Sequence, residues 1–330
     1  MRILSSAGNP DVATVFIADM GDGRLVEFVE STQPPLTRDE KWVLIVSVLY
    51  GCPVGCLMCD AGQGYKGRLT LDELFAQIDF LIRGRYPDGA VPVPKFKIQF
   101  ARMGEPAMNP AVLDVLRQMP ARYELRGFVP SVSTVAPRGC ERFFEELRAI
   151  KEDLYAEGFQ LQFSVHSTDS AVRDRLIPTS TWDFEEMAAY GERFRDGRGK
   201  KIALNFALAQ DVPIEADVLA RHFPPASFLV KITPVNPTYR ARENRLVSFL
   251  DGFRVAEDRE PVASLRDAGY EVIVSIGEAE ENRIGSNCGQ FVLRHLARAR
   301  GGSDGHAAGY DYWRESDEHR APGTTDRDSE

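Results

Sequence analysis

The sequence predicts an α/β fold, built from strand, loop and helix units that repeat through most of a 330-residue chain. Three observations point to it. Short apolar and β-branched runs alternate with segments of helical period. The first of these runs, WVLIVSVL at 42–49, is apolar almost throughout, as in a strand buried on both faces. Glycine, cysteine and polar residues gather just after the runs end, where open α/β sheets and barrels bind ligands. Six such units are counted, too few for a closed eightfold barrel.

Residues 1–40 form an extension. Two short apolar runs, around Ile17 and from Arg24 to Val29, flank Gly21-Asp22-Gly23 and signal a β-hairpin. TQPPLTRDEK at 32–41 is a polar connection. After the first strand, Thr70 and Glu73 have the spacing of a capping box ahead of Leu71, Leu74, Phe75, Ile78 and Leu81, so a helix follows. KFKIQF at 95–100 is the second strand, and a helix runs from Asn109-Pro110 to Leu116. Phe128 to Ser133 is the third strand, with Cys140 at the start of the next helix. Strands at 159–165, 201–208, 228–232 and 270–276 follow, with helices at 183–194, 215–220 and 257–267. Residues 41–292 are assigned to the core, and 293–330 to a tail that is partly disordered, being polar and rich in glycine and charge.

Composition narrows the function classes. With 43% hydrophobic residues the chain can bury a sizeable core. Its formal charge of −9 is a poor match to a polyphosphate surface, which disfavours RNA unless a local basic patch overrides it. Arg138, Arg142, Arg240, Arg242 and Arg245 are candidates for such a patch, or solvated helix-surface residues. No apolar run is long enough to span a bilayer and no signal peptide is evident. No membrane association, a cytoplasmic location and a monomer are expected.

Three of the five cysteines, Cys52, Cys56 and Cys59, lie in YGCPVGCLMCDAGQGYKGRLTLDEL at 50–74 with C-x3-C-x2-C spacing. Interleaved glycines let three sulfurs turn inward and let backbone N–H groups face an anionic cluster. A cubane iron–sulfur group on three thiolates keeps one iron open. A structural zinc site would need a fourth ligand, and the nearest following histidine is His166. A redox pair or disulfide would not need the third cysteine.

This loop resembles the cluster-binding motif of the radical SAM superfamily. The resemblance implies a [4Fe–4S] cluster on Cys52, Cys56 and Cys59, S-adenosyl-L-methionine on the open iron, and a partial (β/α)6 TIM-like barrel behind the N-terminal β-hairpin extension. It also implies a reducing partner such as flavodoxin or ferredoxin.

A narrower resemblance, to the RlmN and Cfr family of ribosomal RNA adenine methyltransferases, runs over about residues 20–292. It is carried in order by the hairpin at 21–29, the loop at 51–70, Met103-Gly104-Glu105-Pro106 with Asn109, Ser133-Thr134, Ser164-Val165-His166, Pro234 to Pro237 and Asn287-Cys288-Gly289-Gln290. It implies that Gly104, Glu105, Pro106, Ser133, Ser164, His166 and Asn236 surround the cofactor. Glu105 could accept from its ammonium or merely cap the next helix; His166 could contact it or be a satisfied turn histidine. In that family the cysteine matching Cys288 takes a methyl group from one SAM, and radical chemistry on a second passes the carbon to an sp2 centre. Sulfur suits this, being nucleophilic, able to stabilise an adjacent radical and able to leave. Glu27 matches a family glutamate and is a candidate for substrate positioning or proton removal.

Two departures qualify the likeness. The family's second catalytic cysteine, seven residues before the first cluster cysteine, is Ile45 here, so product release differs or falls to Cys140. Only residues 1–20 precede the hairpin, where the family carries an N-terminal helical accessory domain. The expectation is therefore an enzyme that moves a methyl or methylene-derived unit through Cys288 to a small molecule, heteroaromatic or nucleoside-like. The alternatives are an rRNA or tRNA adenine methyltransferase, a non-methylating radical SAM enzyme, and a non-catalytic Fe–S electron-transfer protein.

Overall fold

Buried apolar runs pair side by side in chain order and generate the architecture. The computed structural model describes residues 1–62, 64–236, 238–246 and 261–275. Three antiparallel strands come first, β1 (Arg2–Asn9), β2 (Ala13–Asp19) and β3 (Leu25–Ser31). The turn at Gly21-Asp22-Gly23 joins β2 to β3 as the sequence predicts, with all three residues at positive φ. The strand β1 is not legible in the sequence, because RILSSAGN is an edge strand whose residues are mostly half-buried.

The parallel series begins with β4 (Lys41–Val46), which pairs antiparallel with β3 and parallel with the next long strand. Short β5 (Leu49–Tyr50) and β6 (Gly67–Arg68) pair across the two ends of the cysteine loop. Helix α1 (Leu71–Arg85) opens on the Thr70/Glu73 capping box, with both reciprocal hydrogen bonds formed. After β7 (Ala90–Val91) come β8 (Lys95–Phe100), α2 (Ala111–Arg122), β9 (Glu124–Leu125), which pairs with β7, and β10 (Phe128–Thr134). Helix α2 continues six residues past Leu116, because Leu116 and Met119 are both buried in the core. Next are α3 (Glu141–Ile150), β11 (Gln160–Ser164), α4 (Ser170–Leu176), α5 (Phe184–Arg195) and β12 (Ile202–Leu208). Then follow α6 (Ala216–His222), β13 (Phe228–Pro234), α7 (Tyr239–Glu243), α8 (Val262–Asp267) and β14 (Val272–Val274).

The long strands form one sheet in the order β1-β2-β3-β4-β8-β10-β11-β12-β13-β14. From β4 onward every neighbour is parallel. This is a mixed α/β fold with a largely parallel strand core flanked by helices, in a barrel-like arrangement. Among the described residues seven parallel strands line up rather than six, because β14 adds a last strand after the six strand–helix units.

Alternation along each strand divides its two faces. Phe96, Ile98 and Phe100 of β8 join Phe75, Ile78 and Leu81 of α1 and Leu113 and Leu116 of α2 in the main core. Gln99, between them, lines a cavity on the other face. Helices therefore cover an apolar outside, while the inner face is free to be polar.

Candidate functional site at the C-terminal ends of the parallel strands

A cavity of about 320 Å³ lies inside the wall and is lined in part by Cys52, Cys56, Cys59, Glu105, His166 and Lys231. Every long parallel strand from β4 to β13 contributes at least one residue to its lining, either from within the strand or just beyond its end. The cysteine loop leaves the end of β4, and backbone contacts fix where it starts. The amides of Val48 and Leu49 both donate to the Met103 carbonyl, at 2.8 and 3.0 Å. Asn109 Nδ2 donates to the carbonyls of Val48 and Leu69, both at 2.8 Å, so one buried side chain holds both ends of the loop. Gly104 has φ 101°, and a Cβ there would lie 2.5 Å from Leu49 Cβ. Only glycine permits that approach.

The far side of the loop is clasped by residues 238–244, about 180 positions later. The Asp60 carboxylate accepts from the amides of Tyr239 (3.1 Å) and Arg240 (2.9 Å). Thr238 Oγ1 donates to Met58 O at 2.8 Å, Arg240 Nη2 to Gly55 O at 3.2 Å, and Asn244 Nδ2 to Leu57 O at 3.1 Å. The loop consequently has a set position with no regular secondary structure in its cysteine-bearing part.

Burial and mutual proximity make the three thiols costly to ionise in the protein alone. Burial pushes Cys52 up to about 12 and raises Cys56 well above the ordinary thiol range, and Cys59 also rises. The neighbouring cysteines oppose one another's ionisation at Cys52 and Cys56. Thiolates in this setting would require positive charge between them, which a bound iron group would supply. Among the described residues no three His, Cys, Asp or Glu side chains converge on a point where one metal ion could be held. The donor set suits a group with several irons, each reached by its own thiolate.

Glu105 both caps a helical turn and faces the cavity. The turn is Pro106–Met108, and the Glu105 Oε1 accepts from Ala107 N at 3.0 Å. Thr134 Oγ1 (2.5 Å) and Val135 N (2.9 Å) donate to the same carboxylate. Burial still lifts it to about 6, with those donors pulling the other way.

His166 stands at the end of β11 with φ 65°, a left-handed conformation uncommon for a non-glycine residue. Ala207 N donates to its Nδ1 at 3.1 Å, so the neutral ring carries its proton on Nε2. Burial, reinforced by Arg173, lowers it to about 4. It lines the cavity as a neutral donor rather than as a base. Gly104, Ser133, Ser164 and Asn236 line the same space, and Ser133 Oγ accepts from Gln99 Nε2 at 3.2 Å. Pro106 is buried just behind Glu105 and is not among the lining residues.

Other candidates sit elsewhere. Glu27 is fully buried and pairs with Arg102 at 2.8 Å; Arg102 lines the cavity and Glu27 stands behind it. Cys140 is at the N-terminus of α3, packs against the main core and is not a lining residue. Ile45 does line the cavity, near Cys52 and Cys59. Arg138 and Arg142 pair on the surface with Glu186 and Glu146, and Arg240 serves the clasp. Cys288 lies outside the described residues, as does Arg300 onward. Sequence reasoning missed Gln99, Arg102, Gln162, Asn205 and Lys231 on the inner wall. Polar residues at alternate positions of otherwise apolar strands were the available signal.

No protein-family model matches the chain. It is 29% identical over 281 residues to the "Probable dual-specificity RNA methyltransferase RlmN" of Thermobifida fusca, covering 82% of this chain and 71% of that one. The protein of the same description from Akkermansia muciniphila is 27% identical over 293 residues, covering 84% and 77%. A radical SAM methyltransferase from Sphaerobacter thermophilus, solved by crystallography, superposes with a TM-score of 0.64 at 21% identity over 87% of this chain and 80% of that one. Together with the cysteine loop at the ends of a largely parallel series of strands, these likenesses make the chain similar in sequence to the RlmN methyltransferases and alike in fold to a solved radical SAM methyltransferase.

Proposed function

We propose that this chain is a radical SAM enzyme that transfers a methyl or methylene-derived one-carbon unit through Cys288 to an sp2 carbon of a small molecule, heteroaromatic or nucleoside-like. The observation that carries the reading is the meeting of Cys52, Cys56 and Cys59 with Gly104, Glu105, Ser133, Ser164, His166 and Asn236 around one cavity. When bound, a [4Fe–4S] group supplies the electron that cleaves the sulfonium of S-adenosyl-L-methionine. The three cysteines hold that group. Glu105 offers a carboxylate oxygen to a ligand ammonium, and His166 offers Nε2–H to an acceptor. The enclosing wall limits access of water to the reacting atoms. Ile45 fills the wall near Cys52 and Cys59 with an aliphatic group, so thiol exchange from that position has no part in this chain's chemistry.

The test is anaerobic reconstitution with iron and sulfide, followed by reduction in the presence of S-adenosyl-L-methionine. The expected result is 5′-deoxyadenosine and a methyl group that peptide mass spectrometry localises to Cys288. Cleavage of SAM without any methyl on Cys288 would leave a non-methylating radical enzyme, and no cleavage would defeat the reading as a whole. A second reading, methylation of RNA adenine, is favoured by the function in the names of the two relatives. The formal charge of −9 weighs against it. Competition between RNA and nucleosides for the reconstituted protein separates the two.

A further inference from the structure

Carboxamides inside this chain fall into two groups. Gln77, fully buried, uses both ends of its amide: Oε1 accepts from Ser47 N at 2.9 Å, and Nε2 donates to the carbonyls of Ser47 and Glu73 at 3.0 and 3.3 Å. Asn109 is equally satisfied, donating to Val48 O and Leu69 O and accepting from Ala111 N at 3.1 Å. Two amides on the inner wall differ. Asn205 Oδ1 is buried and has no hydrogen-bond partner among the described residues. Gln162 is only 8% exposed, and among the described residues its amide makes no hydrogen bond. Both side chains line the cavity.

Strand alternation aims them there. Leu161 and Phe163 of β11, and Leu204 and Phe206 of β12, join the main core, which turns Gln162 and Asn205 to the inside. Asn205 is level with Ser164, and Gln162 with Ala203, so the two amides are diagonal neighbours on adjacent strands. With strands roughly 5 Å apart and a rise of roughly 7 Å over two residues, a single ring with its substituents can touch both. An amide left without a partner costs more than an aliphatic side chain of similar size, which would fill the wall as well. A ligand that supplies the missing partner offsets that cost. Because a carboxamide carries an acceptor beside a donor, its complement is a neutral edge with a donor beside an acceptor. A carboxylate or phosphate offers acceptors only and leaves Asn205 Oδ1 unpaired.

We propose that Gln162 and Asn205 bind the neutral donor–acceptor edge of the substrate's ring, the lactam or amino-heterocycle edge of a nucleobase-like molecule, with Asn205 Oδ1 accepting from one of its N–H groups. This deepens the proposed function and rests on it for the identity of the reaction, but not for the binding. The contact selects such heterocycles over aromatic carboxylates and hydrocarbons of the same shape. The adenine of S-adenosyl-L-methionine carries a related edge. Gln162, however, lies deeper along β11 than Ser164 and His166, the positions expected around the cofactor.

The experiment is calorimetric titration of the full-length reconstituted protein, unreduced and saturated with S-adenosyl-L-methionine, with adenine, cytosine and uracil, using benzoate as the control ring. At least one base is expected to bind, and more tightly than benzoate. Its affinity should fall about tenfold in Gln162→Met and in Asn205→Leu, as for loss of a buried hydrogen bond, while affinity for S-adenosyl-L-methionine holds. In chemical denaturation of the ligand-free protein both variants should be as stable as the wild type or more so, since each removes an unpaired amide from the wall. No binding of any base, benzoate binding as tight as theirs, or undiminished binding to either variant overturns the proposal. A loss of S-adenosyl-L-methionine affinity as large as the loss for the base also overturns it, since the amides would then serve the cofactor. So does a loss of stability in either ligand-free variant, which would make the amide structural. Failure of the methyl-transfer reading appears instead as missing 5′-deoxyadenosine or an unmethylated Cys288, neither of which alters the binding of a base.

Discussion

The cysteine loop and the inner wall share a cavity but are built by opposite means. The loop has no ladder across its cysteines, so side chains and amides from distant segments tie it down: Asn109 at its ends, and Asp60, Thr238, Arg240 and Asn244 at the clasp. The wall gets its order from the parallel ladder, and strand alternation alone decides which side chains face inward. Mutations in the loop should therefore disturb position, and mutations in the wall should disturb chemistry with less effect on geometry.

The largest effect is expected at the loop. Replacing Cys52, Cys56 or Cys59 with alanine should abolish iron retention and SAM cleavage, read by iron analysis and 5′-deoxyadenosine formation. Retention of the full iron content by any of the three variants would break the assignment.

Next is His166, where wall and loop conditions can be told apart by pH. Its folded pKa of about 4 lies below the ordinary value of 6.5. As pH falls, the unfolded chain takes up the proton first, so stability is full above about 6.5 and is lost as pH drops toward 4. The difference is worth roughly 3 kcal/mol at most. Asparagine tolerates the left-handed backbone, so His166→Asn should fold and should flatten this part of the curve of denaturant stability against pH. An unchanged slope would show that another group carries it.

Asp60→Ala removes a buried acceptor from two backbone amides and should cost about 2 kcal/mol, measured by chemical denaturation. It should also lower iron retention, which distinguishes a clasp that positions the cysteines from a contact that only stabilises the fold. Asp60→Asn keeps one acceptor oxygen and should fall between.

Comparable in size is Gly104→Ala. The added methyl would meet Leu49 at 2.5 Å in a backbone region that favours glycine, costing about 1–3 kcal/mol. If the clasp and Asn109 hold the loop as described, this variant should lose more SAM affinity than Asp60→Asn does. A substitution without effect on either stability or affinity would mean that the turn relaxes freely.

Legibility in the sequence followed the distance over which each feature is determined. The C-x3-C-x2-C loop, the Thr70/Glu73 capping box, the Gly21-Asp22-Gly23 turn and the succession of buried strands are local, because spacing and residue type within a few positions dictate them. The edge strand β1 was missed for want of an apolar pattern. Helix α4 was also missed; it is a short helix whose main local signal is the Asp169 cap.

By itself, the sequence determined that cysteines, glycines and a carboxylate would gather at the ends of parallel strands, since each follows an apolar run directly. Only the tertiary structure decided what faces them. Glu27 could be read as a site residue, yet sheet packing buries it against Arg102. Gln99 and Lys231 are 132 positions apart and carry no shared motif, but one sheet turns both toward the same cavity. The Asp60 clasp joins residues about 180 apart for the same reason: closing the chain into a barrel-like wall brings the loop after β13 beside the loop after β4. Contacts of that range are set by the order and curvature of the strands, which no local pattern contains.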